Sequence, residues 1–229
     1  MHEFEFDGTK SSSFNILISG TGTFDSTERD VSVVEVPGRD GNLIIDNGRY
    51  LNISLTYPCF FTSQADYIAF RAFLMSKTGY KVLSDTYHPT EFRMARFTGG
   101  LSPSTTQYNK EGDFSVTFDC KPQRFLTTGE TWNEFTTDDS ITNPTLFESK
   151  PLIRVYGSGT LGVGDYLITV ESNNYPYIDI DCDTQNAFYG ATNCNSLITG
   201  AFPVLHAGAN GIEVDTFSQV DIKGRWFTL

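Results

Sequence analysis

Histidine, tryptophan and cysteine are scarce, at three, two and four residues in a chain of 229. Hydrolytic chemistry needs a nucleophile, a base and a group that orients the base. His2 stands near the start, His88 precedes Pro89 and His206 lies in "VLHAGANG", and neither G-x-S-x-G nor H-E-x-x-H occurs. Nothing singles out a carboxylate pair, so the sequence nominates no catalytic, cofactor-binding or metal-binding residue and implies no cofactor. Cys59, Cys120, Cys182 and Cys194 form no C-x-x-C. They read as free, buried thiols that pack like small hydrophobes, with a Cys182–Cys194 bridge as the alternative in an oxidising compartment.

Long apolar runs are also missing. None approaches the roughly 18–20 residues that span a bilayer, and "MHEFEFDG" lacks the basic start and apolar core of a secretory signal, so a chain made and folded in a cytoplasm is expected. Cations are outnumbered, 16 Lys and Arg against 28 Asp and Glu, for a net charge of −12. The deficit is uneven: 12 against 16 in residues 1–130 and 4 against 12 in 131–229. Tight nucleic-acid binding relies on cations that displace counterions from phosphates, and anionic membranes make the same demand, so both partners are disfavoured.

What is present is a globular composition, 39% hydrophobic and 19% charged with 20 Gly and 9 Pro, in a length that suits two domains. "SFNILISG" and "YLNISLTY" alternate apolar and polar residues, the period of half-buried strands. Pro37-Gly38 and Asp40-Gly41 mark a turn between "DVSVVEV" and "NLII", which makes Arg39-Asp40-Gly41 a bend and not a recognition signal. "TSQADYIAFRAFLMSKTGY" is the one convincing helix, at about 63–78. Ser63 and Asp66 resemble a capping box, Lys77 and Gly79 a stop, and Ile68, Ala72 and Met75 share a side, with Phe70, Phe73 and Leu74 close by, a stripe expected to pack on a sheet. "YKVLSDTY" and "FRMARFTGG" resume the strands, and "DFSVTFDC" follows across the long polar tip "GGLSPSTTQYNKEG", a candidate contact arm.

"TTGETWNEFTTDDSITNPT" is rich in Thr, Asp and Asn and reads as the crossover between domains, with room for one strand of the second. Beyond it "PLIRVY", "DYLITVES", "YIDIDC", "NSLIT", "GIEVDTF" and "QVDIKGRWF" are short strands separated by turn residues, the spacing of a β-sandwich. "VYGSGTLGVG" matches G-x-G-x-x-G at Gly157, Gly159 and Gly162. A dinucleotide site needs those glycines to open a helix, whereas "DYLITVES" alternates as a strand, so the loop reads as a hairpin connection. Asp179, Asp181 and Asp183 have calcium-loop spacing, yet Thr184 and Gly190 stand where the turn glycine and closing glutamate belong. They read as the exposed face of a strand.

Three segments, "VEVPGRDGNLIIDNGRY", "FDCKPQRFL" and "NPTLFESKPLIRVYGSGTLGVG", together resemble the distal tail proteins of long-tailed, non-contractile bacteriophages. "FRAFL", "GYKVLSDTYHP" and the closing "GAFPVLHAGANGIEV" with "VDIKGRWFTL" are similar too, so the likeness covers nearly the whole chain. The resemblance implies a mainly β, two-domain protein: residues 1–130 a β-barrel or sandwich with one helix that closes, six copies together, into a ring, and 131–229 a galectin-like sandwich projecting outwards. It also implies a virion tail tip, assembled in the host bacterial cytoplasm. Partners would be the tail tube protein on one side and a tail-associated hub, lysin or fibre protein on the other, with DNA passing through the lumen. The alternative is a carbohydrate-binding module reading host-surface glycans through the second domain, for which Trp226 beside Arg225 is the only cue.

Overall fold

A computed structural model describes residues 2–20, 25–106 and 110–229. The chain divides into two compact units, Met1–Arg124 with Leu229 and Phe125–Thr228. Both are built from antiparallel strands, and the chain is mainly β.

The first unit contains β1 (Phe4–Phe6), β2 (Thr9–Lys10), β3 (Leu17–Ile18), β4 (Arg29–Val34), β5 (Leu43–Tyr50), β6 (Ile53–Phe61), α1 (Gln64–Ser76), β7 (Lys81–Asp85), β8 (Glu91–Phe97), β9 (Ser104–Thr106) and β10 (Glu111–Cys120). Its main sheet runs β2-β1-β7-β8-β10-β6-β3, with β9 also on β10. His2, just ahead of β1, makes an isolated bridge to Ile18 of β3, which brings that edge strand back against the line of β1 and curls the sheet into a barrel. The register from Gly112 opposite Phe61 to Cys120 opposite Ile53 sends Phe114, Val116, Phe118, Leu55, Tyr57 and Cys59 inward, where they are buried. Period two with one wet face is the reason these strands were legible in sequence.

Two local readings change. In "SFNILISG" only Leu17 and Ile18 form a strand, because Ser11–Phe14 make a 3-10 turn that ends at Asn15 in the left-handed region (φ 54°). In α1 the buried residues are Tyr67, Phe70 and Leu74, while Ile68 and Met75 are 48% and 68% exposed. Ring size decides the facing: Tyr67 and Phe70 meet Phe61, Phe114 and Phe4 at ring-contact distances, a larger apolar surface than Ile68 and Met75 offer. Ser63 makes no side-chain cap, and Asp66 instead accepts from Asn15 Nδ2 at 3.0 Å.

The second unit comprises β11 (Arg124–Leu126, entered from the first unit), β12 (Asn133–Phe135), β13 (Asp139–Asn143), β14 (Leu152–Tyr156), β15 (Gly159–Val163), β16 (Tyr166–Val170), β17 (Ile178–Asp181), β18 (Asn186–Tyr189), β19 (Thr192–Asn193), β20 (Ile198–Gly200), β21 (Gly208–Asp215), β22 (Gln219–Lys223) and β23 (Phe227–Thr228). Two sheets, β12-β22-β14-β17-β18-β19 and β13-β21-β15-β16-β20, enclose one core that includes Ile153, Val155, Leu161, Ile168, Ile180 and Ile222. The expected crossover from about 130 is therefore part of the sandwich: it supplies β12 to one sheet and β13 to the other, and Phe135 and Ile141 are buried.

The glycine loop is not a hairpin. β14 and β15 belong to opposite sheets, so Gly157 (φ 102°) and Gly159 (φ 155°) turn the chain across the sandwich, and the hairpin comes next, between β15 and β16 at Gly164. A Cβ on Gly159 would run into the Asp215 carbonyl, a close approach that only glycine permits.

Candidate assembly surface

β4 and β5 pair with each other and, among the described residues, with no other strand. Their register sets Ser32 opposite Ile45 and Val34 opposite Leu43 on one face, with Val31 opposite Asp46 and Val33 opposite Ile44 on the other. Both faces are apolar and both are open. Val33 is 55% exposed, Ile44 64%, Ile45 50%, and Val31, Val34 and Leu43 about 40% each. A two-stranded ribbon with no buried face is marginal in water, and two long unpaired edges invite further strands.

Polar chemistry holds the base of this arm. Arg29 Nη1 donates to Asp46 Oδ2 at 2.7 Å, Arg49 Nε to Asp30 Oδ2 at 2.6 Å and Asn47 Nδ2 to Asp30 Oδ1 at 3.1 Å. Thr27 Oγ1 ties the entering chain to the Leu51 carbonyl at 2.6 Å. At the far end Val36-Pro37-Gly38-Arg39 makes a turn closed by Arg39 N to Val36 O at 3.2 Å, with Gly38 at φ 79°. Pro at the second position and a positive-φ Gly at the third make it a type II turn. Arg39-Asp40-Gly41 is the tip of this ribbon, a bend as its sequence suggests.

The arm was missed as a surface in sequence, although a signal existed. "VSVVEV" and "NLII" put apolar residues on consecutive positions, hence on both faces of any strand, without the length of neighbours needed to cover both. The polar tip that did look like an arm is shorter than expected: Ser104–Thr106 fold back as β9 on residues 111–113 of β10. Residues 107–109 of that tip lie outside the described residues.

The remaining candidates are tied up locally. Asp179 is buried and accepts from Arg154 through Nε at 2.7 Å and Nη2 at 3.0 Å; Asp181 takes Arg225 Nη1 at 2.8 Å, and Asp183 takes Lys150 Nζ at 3.1 Å. Expected as an exposed acidic face, these aspartates are instead matched one to one with cations. Burial works against the charged form of Asp181, yet Arg225 and the amides of Asp183 and Thr184 outweigh it and lower the pKa. Trp226 is buried, packed under Gly224. Trp132 is the half-buried indole, with Arg154 over its ring at 5.0 Å and over Tyr177 at 4.1 Å. His2 stacks on Tyr87, His88 bonds Asp85 and His206 bonds Glu148. All four cysteines are buried and unbridged, and burial pushes Cys59, Cys120 and Cys182 up to about 12. Among the described residues no helix is long and apolar enough to cross a membrane.

Neither a family model nor a curated protein sequence matches this chain. Among solved structures, the SPP1 Dit (gp 19.1) protein, described as a paradigm of the hub adsorption apparatus in phages infecting Gram-positive bacteria, superposes with a TM-score of 0.75 at 13% identity over 100% of both chains. The two share one fold. Components of the phage p2 baseplate, solved in its activated conformation with strontium and with calcium, give TM-scores of 0.55 and 0.56 at 12% and 11% identity over 97% of each chain. The likeness to the Dit protein spans barrel and sandwich alike, and at such low identity it rests on the order and pairing of strands.

Proposed function

We propose that this chain is a structural component of a bacteriophage tail tip, which works by assembly and carries out no reaction. The observation that carries this reading is the arm. A ribbon apolar on both faces and open on both edges is finished only by another chain. Copies closing into a ring would bring the arm of one against a different patch of the next, the heterologous interface that rings require. In this reading, which the family resemblance supports, the ring has six copies, 1–130 form it and 131–229 are a galectin-like sandwich. The resemblance also supplies the tail tube protein and a hub, lysin or fibre protein as neighbours. The fold shared with the SPP1 Dit protein supports the reading, and a net charge of −12 suits a lumen from which DNA must slide freely.

The test is the mass of the full chain in solution, with negative-stain images, for the parent and for Val33→Asp with Ile44→Asp. Rings that fall to monomers with an unchanged circular dichroism spectrum are expected. A parent chain that stays monomeric at high concentration, alone and with a tail tube protein, would overturn the reading. A second reading, glycan binding by the sandwich, is favoured by Trp132, Arg154 and Tyr177 together with Tyr156 on the outer side of the six-stranded sheet. Binding on a glycan array that disappears in Trp132→Ala would establish it.

A further inference from the structure

Beneath the root of the arm is a cavity of about 20 Å³ whose polar lining includes Tyr57, Asp85, His88, Glu91, Arg93 and Arg124. One water needs about 10–15 Å³, so the space holds a single small occupant. Two guanidinium groups face it with too few acceptors. Arg124, whose side chain is 15% exposed, donates from Nη2 to the Asp25 carbonyl at 2.7 Å and lies 3.8 Å from Glu91 through Nη1, while its Nε is buried and donates to no protein atom. Arg93 reaches the same carbonyl only at 3.5 Å and has no carboxylate within salt-bridge distance among the described residues.

Of the two acids that line the cavity, Glu91 approaches Arg124 no nearer than 3.8 Å, and Asp85 is already engaged. Asp85 Oδ2 is taken by the Tyr57 hydroxyl at 2.6 Å, and Oδ1 by the amides of Tyr87 and His88 at 2.9 and 2.8 Å and by His88 Nδ1 at 3.2 Å. Burial and the like charge of Arg124 lower the pKa of Arg93 by more than Glu91 and its other neighbours raise it, as befits a cation whose counter-charge is incomplete. A buried donor without a partner is costly, and a buried charge without one more so. Water would satisfy the Arg124 Nε–H and leave the two cations repelling each other; an anion answers both.

We propose that this cavity binds one small monovalent anion from solution, of chloride to formate size, between Arg93 and Arg124. Both arginines also hold the Asp25 carbonyl, from which residues 26–28 lead into β4. The bound anion therefore fastens the root of the arm to the barrel wall.

The experiment uses the full chain. Crystals grown in sodium bromide are expected to show an anomalous peak at hydrogen-bonding distance from Arg124 Nε. In solution, Tm should rise saturably with chloride when chloride replaces gluconate at constant ionic strength. Arg124→Lys keeps the charge and loses the Nε donor, so the chloride Kd, read from chlorine NMR line broadening, should rise at least tenfold. An ordered water with no bromide peak, together with equal Tm in chloride and gluconate, would overturn the proposal. So would a carboxylate of a neighbouring copy filling the cavity; the bromide result on the parent chain stands even if the variant fails to fold.

Discussion

Two antiparallel strand pairs in the first unit, β6 with β10 and β4 with β5, are built from similar residues and come to opposite ends. Across β6 and β10 every second side chain is buried, with Tyr57, Cys59, Phe114, Val116 and Phe118 at 5% exposure or less. Across β4 and β5 the apolar residues are open on both faces. Pairing and propensity are thus common to both, and what separates them is the layer behind the strand. The barrel pair has the helix and the opposite wall, each buried side chain bringing about 1.5–3 kcal/mol. The arm has water there, so its apolar faces contribute nothing until a partner arrives. One sequence vocabulary serves stability in the first place and, on the assembly proposed above, association in the second.

Substitutions should divide along that line. Phe118→Ala removes a fully buried ring that meets Phe4, Phe6, Tyr57 and Phe97. A loss of about 3–5 kcal/mol is expected for such a truncation, read as a fall in the urea midpoint of the full chain. Tyr57→Phe deletes one of the four bonds to Asp85 and should cost about 1.5 kcal/mol by the same measurement. Val33→Ser with Ile44→Ser, which removes apolar surface from the arm, should destabilise the monomer by less than about 0.5 kcal/mol per site. Its effect should appear in sedimentation, as loss of higher oligomers. A large stability loss from the arm variant would mean that the arm packs on its own chain, and the contrast would be broken.

How far the sequence could be read follows from the same physics. β6 and β10 were plain because one buried face imposes a period of two, and the sandwich strands were plain for that reason too. The face of α1 was legible only in part: of the expected stripe Phe70 and Leu74 are buried, whereas Ile68 and Met75 are exposed and Tyr67 takes the inner side, a choice made by the aromatic partners across the core. The Thr-rich stretch, expected to have room for one strand, supplies two, β12 and β13, and read weakly because each buries few apolar side chains, Phe135 in one and Ile141 in the other. The glycine loop leads into a strand and not into a helix, as its alternating sequel suggested, yet its two flanking strands enter different sheets, a property of long-range pairing that local sequence does not carry. Arg93 and Arg124 are 31 positions apart, and nothing in either neighbourhood announces a shared cavity.

The smallest effect expected is electrostatic and confined to the arm. Asp46 lies below the usual aspartate range, first because the Gly48 amide donates to it at 2.8 Å and then, against some desolvation, because Arg29 pairs with it; Asp30 is lowered by Arg49 and Asn47. A carboxylate whose folded pKa is depressed stabilises the formed arm above the ordinary value near 3.9. That contribution falls away as pH drops through the lower folded value. Amides of β4 and β5 should therefore open more often at pH 3 than at pH 6, after correction for intrinsic exchange, while amides of β6 and β10 keep their protection. The measurement belongs in the monomeric Val33→Ser, Ile44→Ser background, where association cannot protect the arm. Asp46→Asn retains an oxygen for the Gly48 amide and loses the charge facing Arg29, so it should reduce the pH response without abolishing the ribbon. Equal acid sensitivity in both strand pairs would show that the effect is not confined to the arm, and the contrast would fail.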